Sequence, residues 1–448
     1  MRFRILSAAL FTLLVVAFSV QGKNLTQIEQ VLSLKQAVAI ALKNNPGLAQ
    51  QVNAVESADV TVSQQQTDLY PNLMLEASGS EPFDTSTDDD TIVGVKLSSS
   101  VNLFNGFADI AALKKAELLL EGELESLSQE EQTLVFNTLS QFIQVLTADE
   151  LIDVQEINLK ENSTLLERIE KFYQAGKLPI SDLYQQQAET KQAELDLLQA
   201  QHALSVSKLS LMQTIGVTPT ANYQVTSPDF EKLSLQIPAG DSGELALLAL
   251  ANRSDIKAQE RQVDAAKQQI RQTQAGRLPQ VDLFASLATD YDALSEDNNF
   301  SEQFMDENIN SIVGLTFSIP IFDRFLTRNE IVKAQIEKRN EQLTLKEKQL
   351  QVGLQVAEAI QNLQKTQKQI DVVESKLTYA SQSLKSYEER YRVGASTLVE
   401  LVQARTQYIT AAFDRIQAKY DLVTQKVSVA YYLGDLDKVF VALSVEKN

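Results

Sequence analysis

Hydrophobic and polar positions along the chain follow two different periods, which alternate in long blocks. Apolar residues spaced three and four apart indicate helices in six segments: 34–68, 106–174, 180–215, 243–274, 326–392 and 398–433. Proline is absent between Pro82 and Pro179 and again after Pro320, so nothing interrupts the longest segments. The segment 106–174 would be ~100 Å long as a helix, which exceeds the size of a globular domain. These helices are therefore predicted to form coiled coils.

The segment 180–215 carries the kind of seam through which such helices pack. Small and large residues alternate along it at spacings of four and three: Ala193, Leu197, Ala200, Leu204, Ser207 and Leu211. Small seam residues let helix axes approach closely. Gln, Ser and Thr are abundant around the seam, a composition that suits helices packed side by side in a wall with one wet face.

A period of two marks four further segments, which we expect to be strands: 72–80, 91–103, 279–290 and 312–323. In 91–103, for example, apolar Val95 and Leu97 alternate with polar Lys96 and Ser98. The strands come in two pairs, each joined by an acidic loop, 81–90 or 291–311. One apolar and one polar face over about ten residues is typical of transmembrane barrel strands. A half-buried sheet of a soluble domain gives the same alternation, so the pattern alone leaves both open.

The number of strands decides what a membrane location would require. About eight strands form the smallest barrel, so four cannot close one. An open sheet edge in lipid would leave backbone groups unpaired. If these strands cross a membrane, several chains must share one barrel, and the protein must be a homo-oligomer.

The same order of elements occurs twice. Phe104, Tyr173 and Gly176 recur 218 residues later as Phe322, Tyr391 and Gly394. We therefore predict two structural repeats, 23–216 and 243–434, joined by a proline-rich linker, 217–242, that holds a single strand; a tail, 435–448, follows. Each unit is too long for a solenoid repeat, so the two halves are expected to build one structure together.

The first residues have the features of a secretory signal peptide, predicted over 1–22. Met1–Arg4 carries two positive charges, and Ile5–Val20 is an apolar run that ends near small residues. A retained transmembrane helix is the alternative, although the run is short for it. The chain has no cysteine, so it can form neither a disulfide nor a lipid-modified cysteine.

Charge and side-chain chemistry exclude several classes of function. The net charge of −19 argues against a nucleic-acid partner. The acidic loops are interpreted as solvated, with weak binding of divalent cations as the alternative. The single histidine, His202, lies in a predicted helix and is interpreted as a packing or surface residue. No cysteine nucleophile, phosphate-binding glycine loop or His/Cys metal cluster is present, so we predict no enzyme, cofactor or metal site.

Two helix-to-helix turns are the candidates for function. Gly176 and Gly394 suit the left-handed position that ends a helix. Beyond them, Ser181 or Asp182 in the first turn, and Thr397 in the second, could cap or charge the start of the next helix. For Asp182 and Glu400, this capping role and a functional role both remain open.

Several short motifs together resemble the TolC family of outer-membrane channel proteins. They are Ala41–Leu48 (Ala-Leu-Lys-Asn-Asn-Pro-Gly-Leu), Tyr70–Leu73 (Tyr-Pro-Asn-Leu), Leu103–Gly106 (Leu-Phe-Asn-Gly) and the two Tyr-x-x-Gly turns. The resemblance covers essentially the whole chain after the signal peptide. It implies a trimer with a twelve-stranded β-barrel in the outer membrane and a long α-helical tunnel in the periplasm. Such channels join an inner-membrane transporter through a periplasmic adaptor protein, in multidrug efflux or type I secretion.

The resemblance also assigns roles to particular residues. The tips that would contact the adaptor are Ala175, Gly176, Lys177, Leu178, Val393, Gly394, Ala395 and Ser396. Asp182 and Glu400 would form an acidic, cation-sensitive aperture at the periplasmic end of the tunnel, with Tyr391 nearby. Gln403 stands where some members have a second carboxylate, so the aperture charge would be lower here.

A second hypothesis comes from a different class of protein. The chain would then be a periplasmic coiled-coil scaffold or adaptor without a pore, and its strands would form a soluble sheet.

Overall fold

The computed structural model describes residues 31–80, 92–219, 223–228, 241–292 and 299–436. The predicted signal peptide, the loop 81–90, much of the linker and nearly all of the tail lie outside these residues. Within the linker, the short strand Gln224–Val225 pairs in parallel with Val31–Leu32.

Long helices dominate the described part of the chain. The helices are α1 Leu34–Asn44, α2 Pro46–Thr67, α3 Ala108–Gln174, α4 Ile180–Thr214, α5 Ser242–Asn252, α6 Ser254–Ala275, the single turn α7 Phe300–Glu302, α8 Leu326–Arg392 and α9 Leu398–Tyr432. The strands are β1 Val31–Leu32, β2 Met74–Ser80, β3 Ile92–Phe104, β4 Gln224–Val225, β5 Gln280–Asp292 and β6 Asn310–Ser318. The duplication is visible in the lengths, since α3 and α8 have 67 residues each and α4 and α9 have 35 each.

The first helix of each half is broken in two, where one continuous helix was predicted over 34–68 and over 243–274. Pro46 causes the first break, because its ring disfavours helical geometry in the preceding residue, Asn45. The Asn45 side chain then accepts hydrogen bonds from the N–H groups of Gly47 and Leu48, at 2.8 and 3.1 Å, and starts α2. The second break, at Arg253, occurs without a proline. There the guanidinium is buried and makes two hydrogen bonds to the Asp255 carboxylate, at 2.9 and 2.7 Å.

The four long strands form one antiparallel sheet in the order β2-β3-β5-β6. Its register places Leu75, Leu97 and Leu287 side by side on one face. The opposite face is mainly polar and carries Ser98 opposite Ser286, with Met74, Phe284 and Ile312 as apolar exceptions. No strand of the described chain pairs with the outer edges of β2 and β6.

Two sequence-based boundaries at the sheet were wrong. The last strand ends at Ser318 rather than 323, because Pro320 has no N–H for the ladder. The predicted loop 291–311 is partly ordered structure, since β5 runs to Asp292 and β6 begins at Asn310. Between them, α7 continues into a π-helical turn, Gln303–Glu307, and the Thr289 hydroxyl donates to the Phe304 carbonyl at 2.8 Å.

The helices extend from one end of the sheet and pack as two pairs, α3 with α4 and α8 with α9. The shorter α6 lies against both α3 and α8. The main apolar core is formed around Leu139 and Phe142 of α3, which are fully buried. The predicted seam of α4 packs inward as expected, with Ala193 and Leu211 buried and its other members half-buried. His202 is exposed. None of the described helices combines the length and apolarity that crossing a bilayer requires.

Candidate functional site at the helical tips

The two turns at the far ends of the helix pairs have the same backbone geometry. Gly176 and Gly394 adopt φ values of +70° and +77°, which favour glycine. Lys177 N–H donates to the Phe172 carbonyl at 2.9 Å, and Ala395 N–H donates to the Arg390 carbonyl at 2.7 Å. These are the bonds of the Schellman motif, which ends a helix and reverses the chain. The chain can reverse at each tip because a glycine occupies the position with positive φ.

The tip residues named from the sequence are mostly exposed. Ala175, Gly176, Lys177, Val393, Gly394 and Ala395 are exposed, whereas Leu178 and Ser396 are half-buried. The first tip presents Lys177, whose ammonium lies 5.8 Å from the centre of the Phe172 ring. The second tip presents Val393 instead, with 70% of its surface exposed. The two tips are thus alike in backbone and different in surface chemistry.

Glu400 takes part in the cap at the start of α9, where Thr397 is the N-cap residue. The Thr397 N–H and hydroxyl donate to Glu400 Oε2, at 2.8 and 3.1 Å, while the Glu400 N–H donates to the Thr397 hydroxyl at 3.3 Å. This reciprocal arrangement is a capping box. Hydrogen bonds from the Thr397 backbone and hydroxyl hold the pKa of the Glu400 carboxyl below its ordinary value. Glu400 therefore has a structural role and is ionised at neutral pH.

Asp182 has a different environment. The cap position of α4 is Pro179, which supplies no side-chain hydrogen bond, so neither Ser181 nor Asp182 caps this helix. The alternative expectation, that the carboxylate charges the first turn, is confirmed for Asp182. The Asp182 carboxylate lies in the first turn and, within the described residues, accepts a hydrogen bond only from the Ser181 hydroxyl, at 3.3 Å. Its charge remains available for an interaction outside its own helix.

Tyr391, at the end of α8, is the residue that Asp182 influences across the tip. Burial, followed by the nearby Asp182 carboxylate, raises the pKa of the Tyr391 phenol. The Tyr391 ring packs on the apolar cluster formed by Leu165, Ile169, Leu398 and Leu401. Among the described residues its hydroxyl has no hydrogen-bond partner. Asp182 and Tyr391 are thus brought together, whereas Gln403 is exposed one turn beyond Glu400.

A largely buried polar cluster near the helical tips was not predicted from the sequence. The Arg405 guanidinium is 3.5 Å from both Asn162 Oδ1 and Glu388 Oε1, and Gln186 Nε2 donates to Asn162 Oδ1 at 3.1 Å. These residues join α3, α4, α8 and α9 through polar contacts instead of apolar packing. One sequence signal was available, because Leu398, Leu401 and Arg405 have seam spacing and Arg405 puts a charge at a seam position.

The described residues contain no group of three or more side chains arranged to hold a metal ion. The acidic loop 81–90 lies outside them.

A chain with an amphipathic antiparallel sheet at one end and two helices ~100 Å long, each paired with a shorter helix and with carboxylates near the far tips, has the architecture of a channel subunit. The chain belongs to the outer membrane efflux protein family, which matches residues 37–217 and 245–435.

Individual relatives agree with the family assignment. The chain is similar to outer membrane protein TolC of Escherichia coli (strain K12), with 22% identity, 95% of this chain and 86% of that protein being covered. It is also similar to the pyoverdine export outer membrane protein OpmQ of Pseudomonas aeruginosa, with 24% identity and coverage of 88% and 83%. Among solved structures, the Campylobacter jejuni CmeC outer membrane channel matches with a TM-score of 0.78 and 17% identity, covering 90% of this chain and 86% of that one.

These findings confirm the TolC-family resemblance seen in the sequence. The protein is an outer-membrane efflux or secretion channel with its helical part in the periplasm. It is a transport protein and not an enzyme. The alternative of a periplasmic scaffold without a pore is not favoured.

Proposed function

We propose that three copies of this channel protein close a twelve-stranded barrel and export substrates handed over by a periplasmic adaptor and an inner-membrane transporter. The observation that carries the proposal is the sheet, which has one apolar face and outer edges, on β2 and β6, that no described strand pairs. In lipid, unpaired backbone groups cost several kcal/mol each, so the edges need partners. Because the four strands alternate in direction, β6 of one chain can pair antiparallel with β2 of the next.

The expected width of the barrel interior favours an assembly of three chains over an assembly of two. Two chains would give eight strands, and the interior of such a barrel is filled by side chains. Twelve strands leave room for a water-filled passage. Its wall would be the polar face of the sheet, which includes Glu76, Lys96, Ser98, Ser100, Asn102, Asp282 and Ser286. The apolar face would contact lipid.

The helices also expose a row of apolar side chains, which a neighbouring chain would cover. A row of apolar side chains along α8 is exposed in the single chain and repeats at spacings of four and seven: Val332, Ile336, Leu343, Leu350 and Leu354. Such a row is typical of a coiled-coil seam that packs on another helix. In the assembly these side chains would be covered by the adjacent subunit, and the helices would continue the barrel as a tunnel.

The tunnel would be narrowest near the tips, where each chain contributes Asp182 and Glu400. Carboxylates repeated around a narrow pore favour cations and bind divalent ions. The Asp182 carboxylate of α4 contributes to the raised pKa of the Tyr391 phenol at the end of α8, so an outward movement of either helix would weaken this interaction. Gln403 adds no charge to this ring.

The tips themselves would be the adaptor contacts. In the assembly they would alternate between a turn that presents Lys177 and Leu178 and a turn that presents Ala395 and Ser396, with Arg390 donating to the Ala395 carbonyl. Two kinds of groove would result, each suited to a different face of the adaptor. The duct would be passive, with opening driven by the adaptor and energy supplied by the transporter.

Planar-bilayer recording of the purified protein tests whether the chain forms a pore. We expect discrete, long-lived conductance steps that are reduced by divalent cations added on the tip side. Protein that remains a soluble monomer and gives no steps would support the scaffold instead. A chain with its sheet residues 74–80 and 92–104 deleted serves as a control, since it keeps the helices but lacks half of the sheet.

A further inference from the structure

A cleft lies where the helices meet the sheet, between the start of α3 and the end of α6. Gly106, with φ +68°, brings the two elements together, since a Cβ there would be 2.7 Å from Leu278 Cβ and 2.9 Å from the Ala275 carbonyl oxygen. The cleft has a volume of about 660 Å³. Its apolar lining includes Phe107, Ile110 and Leu278.

The rim of this cleft is basic. Lys114, Arg271 and Arg277 line it, and none of the lining residues is acidic, although the whole chain carries a net charge of −19. Lys114 is paired with Glu117 at 2.9 Å, and Arg271 donates to Gln268 at 3.3 Å. The Arg277 side chain has no hydrogen bond or ion pair within the described residues, and it is exposed. Three cations thus face one apolar cleft, with a single carboxylate bound to one of them.

The position of Phe107 links the cleft to the outer face of the barrel. Its ring makes an edge-to-face contact with Phe104, with the ring centres 5.2 Å apart. Phe104 pairs with Val281, on the face of the sheet that also carries Leu283 and Leu287. The apolar lining of the cleft therefore continues the face that the proposed function places in lipid. The two helices belong to one chain, and α6 is flanked by α3 and α8 of that chain, so the cleft does not lie at an edge of the subunit.

We propose that this cleft binds the headgroup of an anionic glycerophospholipid from the periplasmic leaflet of the outer membrane. The phosphate would contact Arg277, Arg271 and Lys114, and the first carbons of the acyl chains would cover Phe107 and Ile110. Charge complementarity selects an anionic headgroup, and the apolar lining selects a lipid over a free anion. The inference rests on the proposed function, because only a sheet inserted in the outer membrane places the cleft at the level of the headgroups.

Native mass spectrometry of the full-length protein, reconstituted with phosphatidylglycerol or phosphatidylethanolamine, tests the proposal. The variant Lys114→Ala/Arg271→Ala/Arg277→Ala removes the rim, and Lys160→Ala/Lys365→Ala/Lys368→Ala removes equal charge from exposed positions far along α3 and α8. Each basic residue near an anionic membrane surface changes the binding of anionic lipid roughly fivefold. We therefore expect the amount of retained phosphatidylglycerol to fall between about tenfold and a hundredfold, and only in the rim variant. Retained phosphatidylethanolamine should be equal in all proteins, and excess inorganic phosphate should not displace the phosphatidylglycerol.

Equal phosphatidylglycerol retention by both variants would overturn the lipid site, and displacement by inorganic phosphate would show a general anion site in its place. Conductance steps recorded from the same preparations distinguish failure of the lipid site from failure of the proposed channel. Steps from a rim variant that retains its lipid overturn the lipid site alone, while preparations without steps overturn the channel on which it rests.

Discussion

The variant Asp182→Asn/Glu400→Gln conducts at divalent-cation concentrations that block the wild-type channel, with the half-blocking concentration raised at least about tenfold, or about 1.4 kcal/mol. Each chain would lose two carboxylates from the part of the tunnel that we propose to be narrowest. A ring of carboxylates binds divalent cations mainly through charge, so neutral amides of the same shape weaken the block. Single-channel conductance, titrated with a divalent cation from the tip side, measures the effect.

The substitution Glu400→Gln removes the charge of the side chain but keeps its role in capping the helix. Glu400 accepts hydrogen bonds from Thr397, and glutamine can make the same capping box. Glu400→Ala removes both the charge and the side-chain half of the capping box, so it should in addition lower the stability of the protein. Gln403→Ala, one turn further on, removes no charge and serves as a control. An unchanged half-blocking concentration in the double variant would contradict the aperture assignment.

The lowered pKa of Glu400 also gives the sign of a pH effect. A carboxyl whose pKa is lower in the folded state contributes stability above its ordinary pKa and loses it as pH falls through the folded value. The capping box therefore stays intact at neutral pH, and the half-blocking concentration should be flat there. It should rise only under acidic conditions.

The second large effect is expected in the sheet. Leu287→Arg places a charge on the apolar face near the middle of β5, beside Leu97. An arginine that faces lipid near the bilayer midplane destabilises the membrane-inserted sheet by about 2 to 4 kcal/mol. A trimer would contain three such arginines. We expect heat-resistant oligomer in the outer-membrane fraction to fall below about a tenth of the wild-type amount, a change that ~1.4 kcal/mol already produces.

Ser286→Arg is the matched control, because it is the neighbouring residue on the opposite face. Ser286 pairs with Ser98 on the side that already carries Lys96. There the arginine would face water in the lumen, so assembly should stay near the wild-type amount. Equal loss in both variants would mean that the two faces do not differ in environment, and would contradict a membrane-spanning sheet.

The long-range organisation could be predicted from the sequence because it depends on repeated local signals. The segment 326–392 was predicted as a helix and is one, since nothing in it breaks the helical period. The turns at Gly176 and Gly394 followed from glycine at the end of a helical pattern. The break at Arg253 was missed because it depends on a tertiary contact, in which the guanidinium also donates to Gln355 of α8 at 2.9 Å.

The candidate site could be predicted less completely, because it also depends on contacts between residues that are distant in sequence. Glu400 and its cap Thr397 lie three residues apart and could be anticipated. The influence of Asp182 on Tyr391, and the junction of Arg405 with Asn162, join side chains that are distant in sequence. Such pairs arise only when α4 and α9 fold back along α3 and α8, and a single sequence contains no signal for them.

Disulfide cross-linking between the edge strands determines whether several chains share one closed barrel. The chain has no native cysteine, so a cysteine at Leu75 in β2 can be combined with single cysteines along 311–317 in β6. Within one chain these strands are separated by three strand spacings, roughly 14 Å, and a disulfide requires Cα atoms within about 7 Å. We predict covalent dimers and trimers, with no larger species, at alternate β6 positions in outer-membrane preparations; the absence of any cross-linked species at every position would contradict the shared barrel.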